Sequence, residues 1–270
     1  MHTGSVWGLW PENYEADHEK VVLSSVAQKL IYKHWTSFSK NVARRKIDTI
    51  IFNGDNVDGP GYYSRGREQM SSDMMDQVLA ATQLIEGLVK RVDPSEMFWL
   101  SGTDYHSASQ QDAEREIASI VGGTYLGLGP HDFEFGDTTV NVAHGSGSTY
   151  WYKGTKMDKI GFSMLLGMGE ANLYNAKHIV RAHYHFEGHL HFRHRDLYIA
   201  PCWQAQTAYM RKKDGLKMVP DIGALELTIE GEKVIPRFYG YPHPPRPKIE
   251  IRGYSIHPDE AKKKRRLKKW

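Results

Sequence analysis

Between residues 19 and 46 apolar positions recur at spacings of three and four, through Val22, Leu23, Val26, Leu30 and Ile31 to Trp35, Phe38 and Val42. That period lays a stripe along one face of a helix. Residues 47–52, Ile-Asp-Thr-Ile-Ile-Phe, form a short β-branched run stopped by Asn53-Gly54, the pattern of a buried strand. The pair then repeats. Met74, Met75, Val78, Leu79, Leu84, Ile85 and Leu88 predict a helix over 71–92, and Met97 to Leu100 a strand closed by Ser101-Gly102. A third helix is expected over 112–121. Phe133–Phe135 and Thr138–Val142 flank Gly136-Asp137, a good hairpin dipeptide, and the second strand runs into Ala143-His144-Gly145. Helical sequence around 160–174 leads to a strand over 178–182 that ends in His183-Tyr184-His185. Further strands are expected at 189–193, 196–200, 224–230 and 234–238. Helices alternating with buried strands predict a layered α/β core. From Tyr241 the prolines at 242, 244, 245, 247 and 258 predict an extended arm. The expected organisation is a folded domain over 1–240, a Pro-rich arm over 241–261 and a terminal segment over 262–270.

Composition narrows the chemistry. With 270 residues, 40% hydrophobic and 25% charged, the chain can bury a sizeable core, which excludes disorder and fibrous classes. Cys202 is the lone cysteine, so no disulfide framework and no Cys-rich zinc module is available. Polar chemistry must come from the acids, hydroxyls, lysines and fourteen histidines. The formal charge of +3 is misleading, because Lys262 to Trp270 carries seven of the 35 cations and none of the 32 anions. Without that segment 28 cations face 32 anions, so the body is acidic at −4 and the basic tail could touch nucleic acid. No run approaches eighteen apolar residues and the start lacks a signal pattern, so the sequence predicts no membrane span and a cytoplasmic protein.

The histidines concentrate where strands end. Gly54-Asp55, Gly102-Thr103-Asp104-Tyr105-His106, Ala143-His144-Gly145 and Ala182-His183-Tyr184-His185 each follow a buried-looking strand. Ligands in layered α/β folds collect outside the carboxyl ends of strands, where loops aim side chains and the sheet holds them. Imidazole and carboxylate together suit Zn, Mn or Fe, and one carboxylate can bridge two cations.

Gly54-Asp55-Asn56-Val57-Asp58-Gly59 resembles the Gly-Asp-x-x-Asp-Gly motif of the calcineurin-like metallophosphoesterases, and the later strand ends resemble that family's motifs in order, over residues 2 to about 240. The resemblance implies a four-layer αββα sandwich with two divalent metals, Mn first and Zn or Fe as alternatives, between strand-end loops. It implies Asp55 as the bridging ligand, Asp58 as a support of the loop, His144 as a ligand of the second metal, and His183 and His185 as one ligand to each. Ala182 stands where the family has glycine.

Three departures shape the expectations. The family's first motif is Asp-x-His; His2-Thr3-Gly4 fits its histidine and glycine, so His2 is expected as a ligand, but the aspartate would precede Met1. The first strand is then absent from this chain. Either the protein starts upstream or one metal site is weak. Second, Gly102-Thr103-Asp104-Tyr105-His106 stands where the family shows Gly-Asn-His; Thr103 takes the asparagine's place, Asp104 is expected as the ligand and His106 as the acid that protonates the leaving group. Third, Gly188-His189-Leu190-His191 copies the Gly-His-x-His spelling, but only the first pair directly follows a buried strand, so His189 and His191 are expected on one face of a later strand.

Other features are weaker. Trp7, Trp10, Trp151 and Trp203 could stack bases, although aromatics mostly fill cores. Arg65 and Arg67, in the loop after the metal motif, could hold a substrate phosphate. The activity expected is hydrolysis of phosphomono- or phosphodiesters, a hydroxide between two cations about 3.5–4 Å apart attacking phosphorus. A catalytically impaired member of the fold that binds nucleic acid or protein is the alternative.

Overall fold

The computed structural model describes residues 1–12, 14–16, 19–21, 25–62, 64–71, 73–106, 112–145, 147, 153–171, 176–192, 195–214 and 219–244. Trp151, most of the Pro-rich arm and the basic tail lie outside them.

Polar caps set where the helices start. Ser25 Oγ accepts the Gln28 N–H ahead of α1 (Val26–Val42), and Asp73 accepts the Met75 N–H ahead of α2 (Met74–Val92). Asp112 does the same for α3 (Ala113–Val121). The helical pattern expected from residue 19 is therefore shortened, since β1 (Tyr14–Ala16) and β2 (Glu19–Val21) pair antiparallel upstream of the Ser25 cap.

The first sheet is parallel, in the order β3 (Thr49–Asn53), β4 (Glu96–Leu100), β5 (Thr124–Gly127). Alternation divides its side chains between two cores. Phe52 and Trp99, stacked with ring centroids 4.0 Å apart, pack on Val78, Ile85 and Ile117 of α2 and α3. Ile51, Phe98 and Leu100 point the other way and meet Phe133, Val140, Val142 and Val180. Those residues belong to a second, mixed sheet. Its order is β6 (His131–Phe135), β7 (Thr138–Ala143), β8 (His178–Arg181), β10 (Arg195–Ile199), β9 (Gly188–Phe192). On the far face of this sheet α4 (Lys153–Ala171) sets Met157 and Met164 against Ile179, Leu197 and Ile199. Helices, sheet, sheet and helix make four layers, the αββα sandwich expected.

The hairpin at Gly136-Asp137 forms with β6 and β7 antiparallel. After α5 (Ala208–Asp214), a second hairpin of β11 (Ile222–Glu230) and β12 (Lys233–Tyr241) adds Leu227 and Ile229 to the core between the sheets. Strand β12 thus takes in Tyr241, the first residue of the expected arm. α1 closes the end of the sandwich with Ile31, Trp35 and Phe38 on Trp203 and Ile222. Trp10 and Trp203 are likewise buried, so core packing is their observed role. A cleft of about 910 Å³ runs along all of β3 and is walled by Trp35, Phe38, Val142, Val180 and Leu227. At its end Met1–Thr3 runs parallel beside Asp55–Val57: the Met1 ammonium and the His2 N–H donate to the Asp55 carbonyl at 2.7 and 3.0 Å, and the Thr3 N–H donates to Asn56 at 2.9 Å. No helix among the described residues is long and apolar enough to cross a membrane.

Candidate metal centre

β3 and β4 are neighbours in the first sheet and β7 and β8 in the second, and the chain leaving each carries an acid or histidine to one end of the sandwich. His2, Asp55, His183 and His185 hold positive φ angles of 53°, 52°, 69° and 55°. Left-handed backbone costs energy in residues with a side chain and persists where surrounding structure enforces it. Its concentration at the strand ends aims these side chains inward. Gly54 and Gly102 make the close approach possible. A Cβ on Gly102 would lie 2.1 Å from Asp55 Oδ1, and one on Gly54 2.6 Å from His144 Nδ1.

Two sets of donor atoms result, each with its atoms within 4.8 Å of one another: His2, Asp55 and His106, and Asp55, His144 and His183. Asp55 belongs to both. Its Oδ1 accepts from the Thr103 N–H at 2.8 Å and from the Thr103 hydroxyl at 3.2 Å. Its Oδ2 lies 2.8 Å from His144 Nε2 and 3.9 Å from His106 Nε2. His185 Nε2 comes within 2.9 Å of His2 Nε2, so both rings aim at one point.

Backbone carbonyls orient the rings. His144 Nδ1 is 2.5 Å from the Asn53 carbonyl, His106 Nδ1 2.6 Å from that of Asp58, and His183 Nε2 2.9 Å from that of Gly147. A carbonyl can only accept, so each of these nitrogens carries the proton and the other keeps its lone pair for the site. His2 Nδ1, Asp55 Oδ2, His144 Nε2 and His185 Nδ1 are buried with no aligned hydrogen-bond partner. Buried polar atoms rarely stay unpaired without a reason. Imidazole nitrogens around a shared carboxylate fit divalent cations: Asp55 Oδ2 and His144 Nε2 would hold one, and the Nε2 atoms of His2 and His185 converge beside it, although His185 stands outside both sets.

Electrostatics follow from burial and crowding. Burial and the neighbouring His106 pull His2 well below the ordinary histidine range, and burial with His2 does the same to His185. Both rings are neutral, as ligands must be. Burial would raise Asp55, but His106 and His144 outweigh it and hold its carboxyl well below the usual range. Burial lowers His144 as well, yet the Asp55 carboxylate prevails and leaves that ring raised.

Asp58 stands behind this layer. Its carboxylate accepts from Gln69 Nε2 at 2.7 Å and Gln204 Nε2 at 3.2 Å and lies 3.4 Å from His2 Nδ1, while burial pushes it up to about 6. Asp104, expected as a ligand, is exposed and stands outside both sets; the turn at Asp104–His106 directs Asp104 to solvent and carries His106 in. His106, expected as a proton donor, lies inside a donor set. Arg65 and Arg67 are exposed on the turn at 64–68.

Glu114 was not anticipated. Fully buried on α3, it accepts the Asn56 N–H at 2.9 Å and the Asn56 side-chain amide, clamping the turn just after Asp55. Burial pushes its carboxyl up to about 7. The periodicity of α3 carried the signal, since Glu114 shares the buried side with Ile117 and Ala118.

No protein-family model matches the chain, and no curated protein does. Solved structures to which it is similar include a single mutant of Vps29 from Entamoeba histolytica, at 9% identity over 86% of this chain and 97% of that one, with a TM-score of 0.41. Vacuolar Protein Sorting 29 from Cryptosporidium parvum is 11% identical over 76% of this chain and 88% of that one, with a TM-score of 0.36. A putative 5'-nucleotidase from Staphylococcus aureus is 12% identical over 98% of this chain and 57% of that one, with a TM-score of 0.38.

Proposed function

We propose that this protein is a metal-dependent phosphoesterase working through a dinuclear centre of Mn²⁺, with Zn²⁺ or Fe²⁺ as the other ions that its nitrogen and oxygen donors suit. The observation that carries the reading is the sharing of Asp55 by two donor sets. A carboxylate with two oxygens can face two ions, and the two sets place four imidazoles around it. When bound, two divalent cations supply Lewis-acid activation of water and neutralise charge on a phosphoryl group.

The protein's own groups do the rest. Thr103 fixes one Asp55 oxygen, and Glu114 through Asn56 holds the turn that carries it. His106 keeps a proton on Nδ1 against the Asp58 carbonyl and turns Nε2 toward the centre. As the imidazolium, with a second proton on Nε2, His106 can give that proton to a departing alkoxide and return to the Nδ1–H form, a role typically worth 10²- to 10⁴-fold. Arg65 and Arg67 are placed to meet a substrate phosphate only if the exposed turn bends toward the centre.

Asp55→Asn tests the reading, because it keeps the shape of the side chain and removes the charge shared by both sets. Bound Mn²⁺ should fall from two equivalents to one or none, and hydrolysis of an aryl phosphodiester by about 10³-fold or more. Two tightly held ions with full turnover in the variant would refute it.

A further inference from the structure

Strands β9 and β10 form one edge of the second sheet. Leu190, Phe192, Leu197 and Ile199 face α4, so His189, His191, Asp196 and Tyr198 share the opposite face. His189 Nε2 lies 2.7 Å from Asp196 Oδ1, and His191 Nδ1 lies 3.1 Å from the same oxygen. A third imidazole, His178 on β8, pairs across the ladder with Asp196 and sets Nδ1 3.8 Å from Asp196 Oδ2 and 3.3 Å from the Tyr198 hydroxyl. His189 stacks on the Tyr198 ring at 4.7 Å and 22°, which fixes its plane. None of these groups belongs to the centre at the strand ends.

We propose that His189, His191 and Asp196 form a second metal site, for a borderline divalent cation such as Zn²⁺ or Ni²⁺. Histidines two apart on a strand project from one face and can chelate one ion, and the adjacent strand supplies an anionic third ligand. Two ligands at about 2.05 Å on a tetrahedral ion stand roughly 3.3 Å apart, so the observed separations of 2.7 and 3.1 Å must open by about 0.6 and 0.2 Å. His191 must also swing toward His189, which its exposure permits: the two side chains are 66% and 37% exposed, against 20% for Asp196. Water completes the coordination sphere, so the ion exchanges freely. Mixed imidazole and carboxylate donors bind Zn²⁺ and Ni²⁺ more tightly than Mn²⁺, so Zn²⁺ is the probe, and the residues that abolish the extra equivalent tell this site from the centre.

The test is calorimetric titration of the metal-free protein with Zn²⁺, beside the variant His189→Ala/His191→Ala. The wild type should bind one equivalent more than the variant, whatever the number held at the centre. Asp196→Asn should weaken that equivalent at least tenfold. The imidazole resonances of His189 and His191 should move as it binds, while phosphodiester hydrolysis stays the same in the double variant. Should the double variant melt early, His191→Ala alone replaces it, with the tenfold weakening as readout. Equal stoichiometry and affinity in wild type and variants, with unmoved resonances, would overturn the proposal and leave two imidazoles hydrogen-bonded to an aspartate.

Discussion

His106 is the residue whose role is most open to measurement. Its Nδ1 proton is tied to the Asp58 carbonyl, yet its Nε2 falls among the donors of a candidate ion site. A proton donor and a ligand respond differently to removal. His106→Ala should retain two Mn²⁺ while turnover drops by about 10²- to 10⁴-fold, most on substrates with poor leaving groups. Loss of an ion in the variant would make His106 a ligand instead. Glu114 gives a second prediction. Folded, it keeps its proton to about pH 7, whereas in the unfolded chain it ionises near 4.5. The folded state therefore binds more protons between those values, and its stability falls as pH rises through them. The contribution is full below about 4.5 and is reduced by roughly 3 kcal/mol above about 7. Buried neutral His2 and His185 act in the opposite sense as pH falls, so the informative quantity is a difference. In chelator-treated protein, wild type minus Glu114→Gln stability should decline from pH 4.5 to 8 in urea melts; a flat difference would remove Glu114 from this role.

At the scale of elements, the strand-end loops depend on contacts that only glycine allows. Gly102 has ordinary backbone angles, so its constraint is purely one of space: a methyl group would sit on the carboxylate of Asp55. Gly102→Ala should leave the helical circular dichroism intact and weaken Mn²⁺ binding by at least about tenfold, since Asp55 must move. Wild-type affinity in that variant would mean that the carboxylate has slack. The sequence discloses these loops well because each follows a short apolar run and opens with a small residue. On that basis the sequence points to Asp55, His144, His183 and His185, and the structure brings the first three into one donor set. Asp104 was not legible. Which residue of Thr103-Asp104-Tyr105-His106 points inward is decided by a turn, and spacing alone does not report turn geometry. Strand β5 and the short hairpin of β1 and β2 also escape: Thr-Tyr-Leu-Gly lacks a buried apolar run, and Tyr14–Ala16 and Glu19–Val21 have three residues each, too few for a period.

For the molecule as a whole, the layers explain why one end carries the chemistry. Phe52 and Trp99 lock β3 and β4 to the helices, while Ile51 and Leu100 lock them to the second sheet. The loops beyond these strands are thus held by both cores, and a shared acid can be presented at fixed distance to two donor sets. The pattern of apolar residues made a layered α/β core readable, while the four-layer sandwich is what the family resemblance implies. The cleft along β3 was not readable, since its walls come from α1, β7, β8 and β11, far apart in sequence. In the function proposed, Asp55 joins two ions into one catalytic unit. The most direct measurement is a Mn²⁺ titration of the metal-free chain, counting bound ions and aryl phosphodiester hydrolysis in the same samples; the surface imidazoles of β9 compete weakly for this ion. Two equivalents should bind, with turnover rising only as the second is taken up. Saturation at one equivalent, or two ions bound without hydrolysis, would contradict the account, the latter pointing to a binding module built on the same fold.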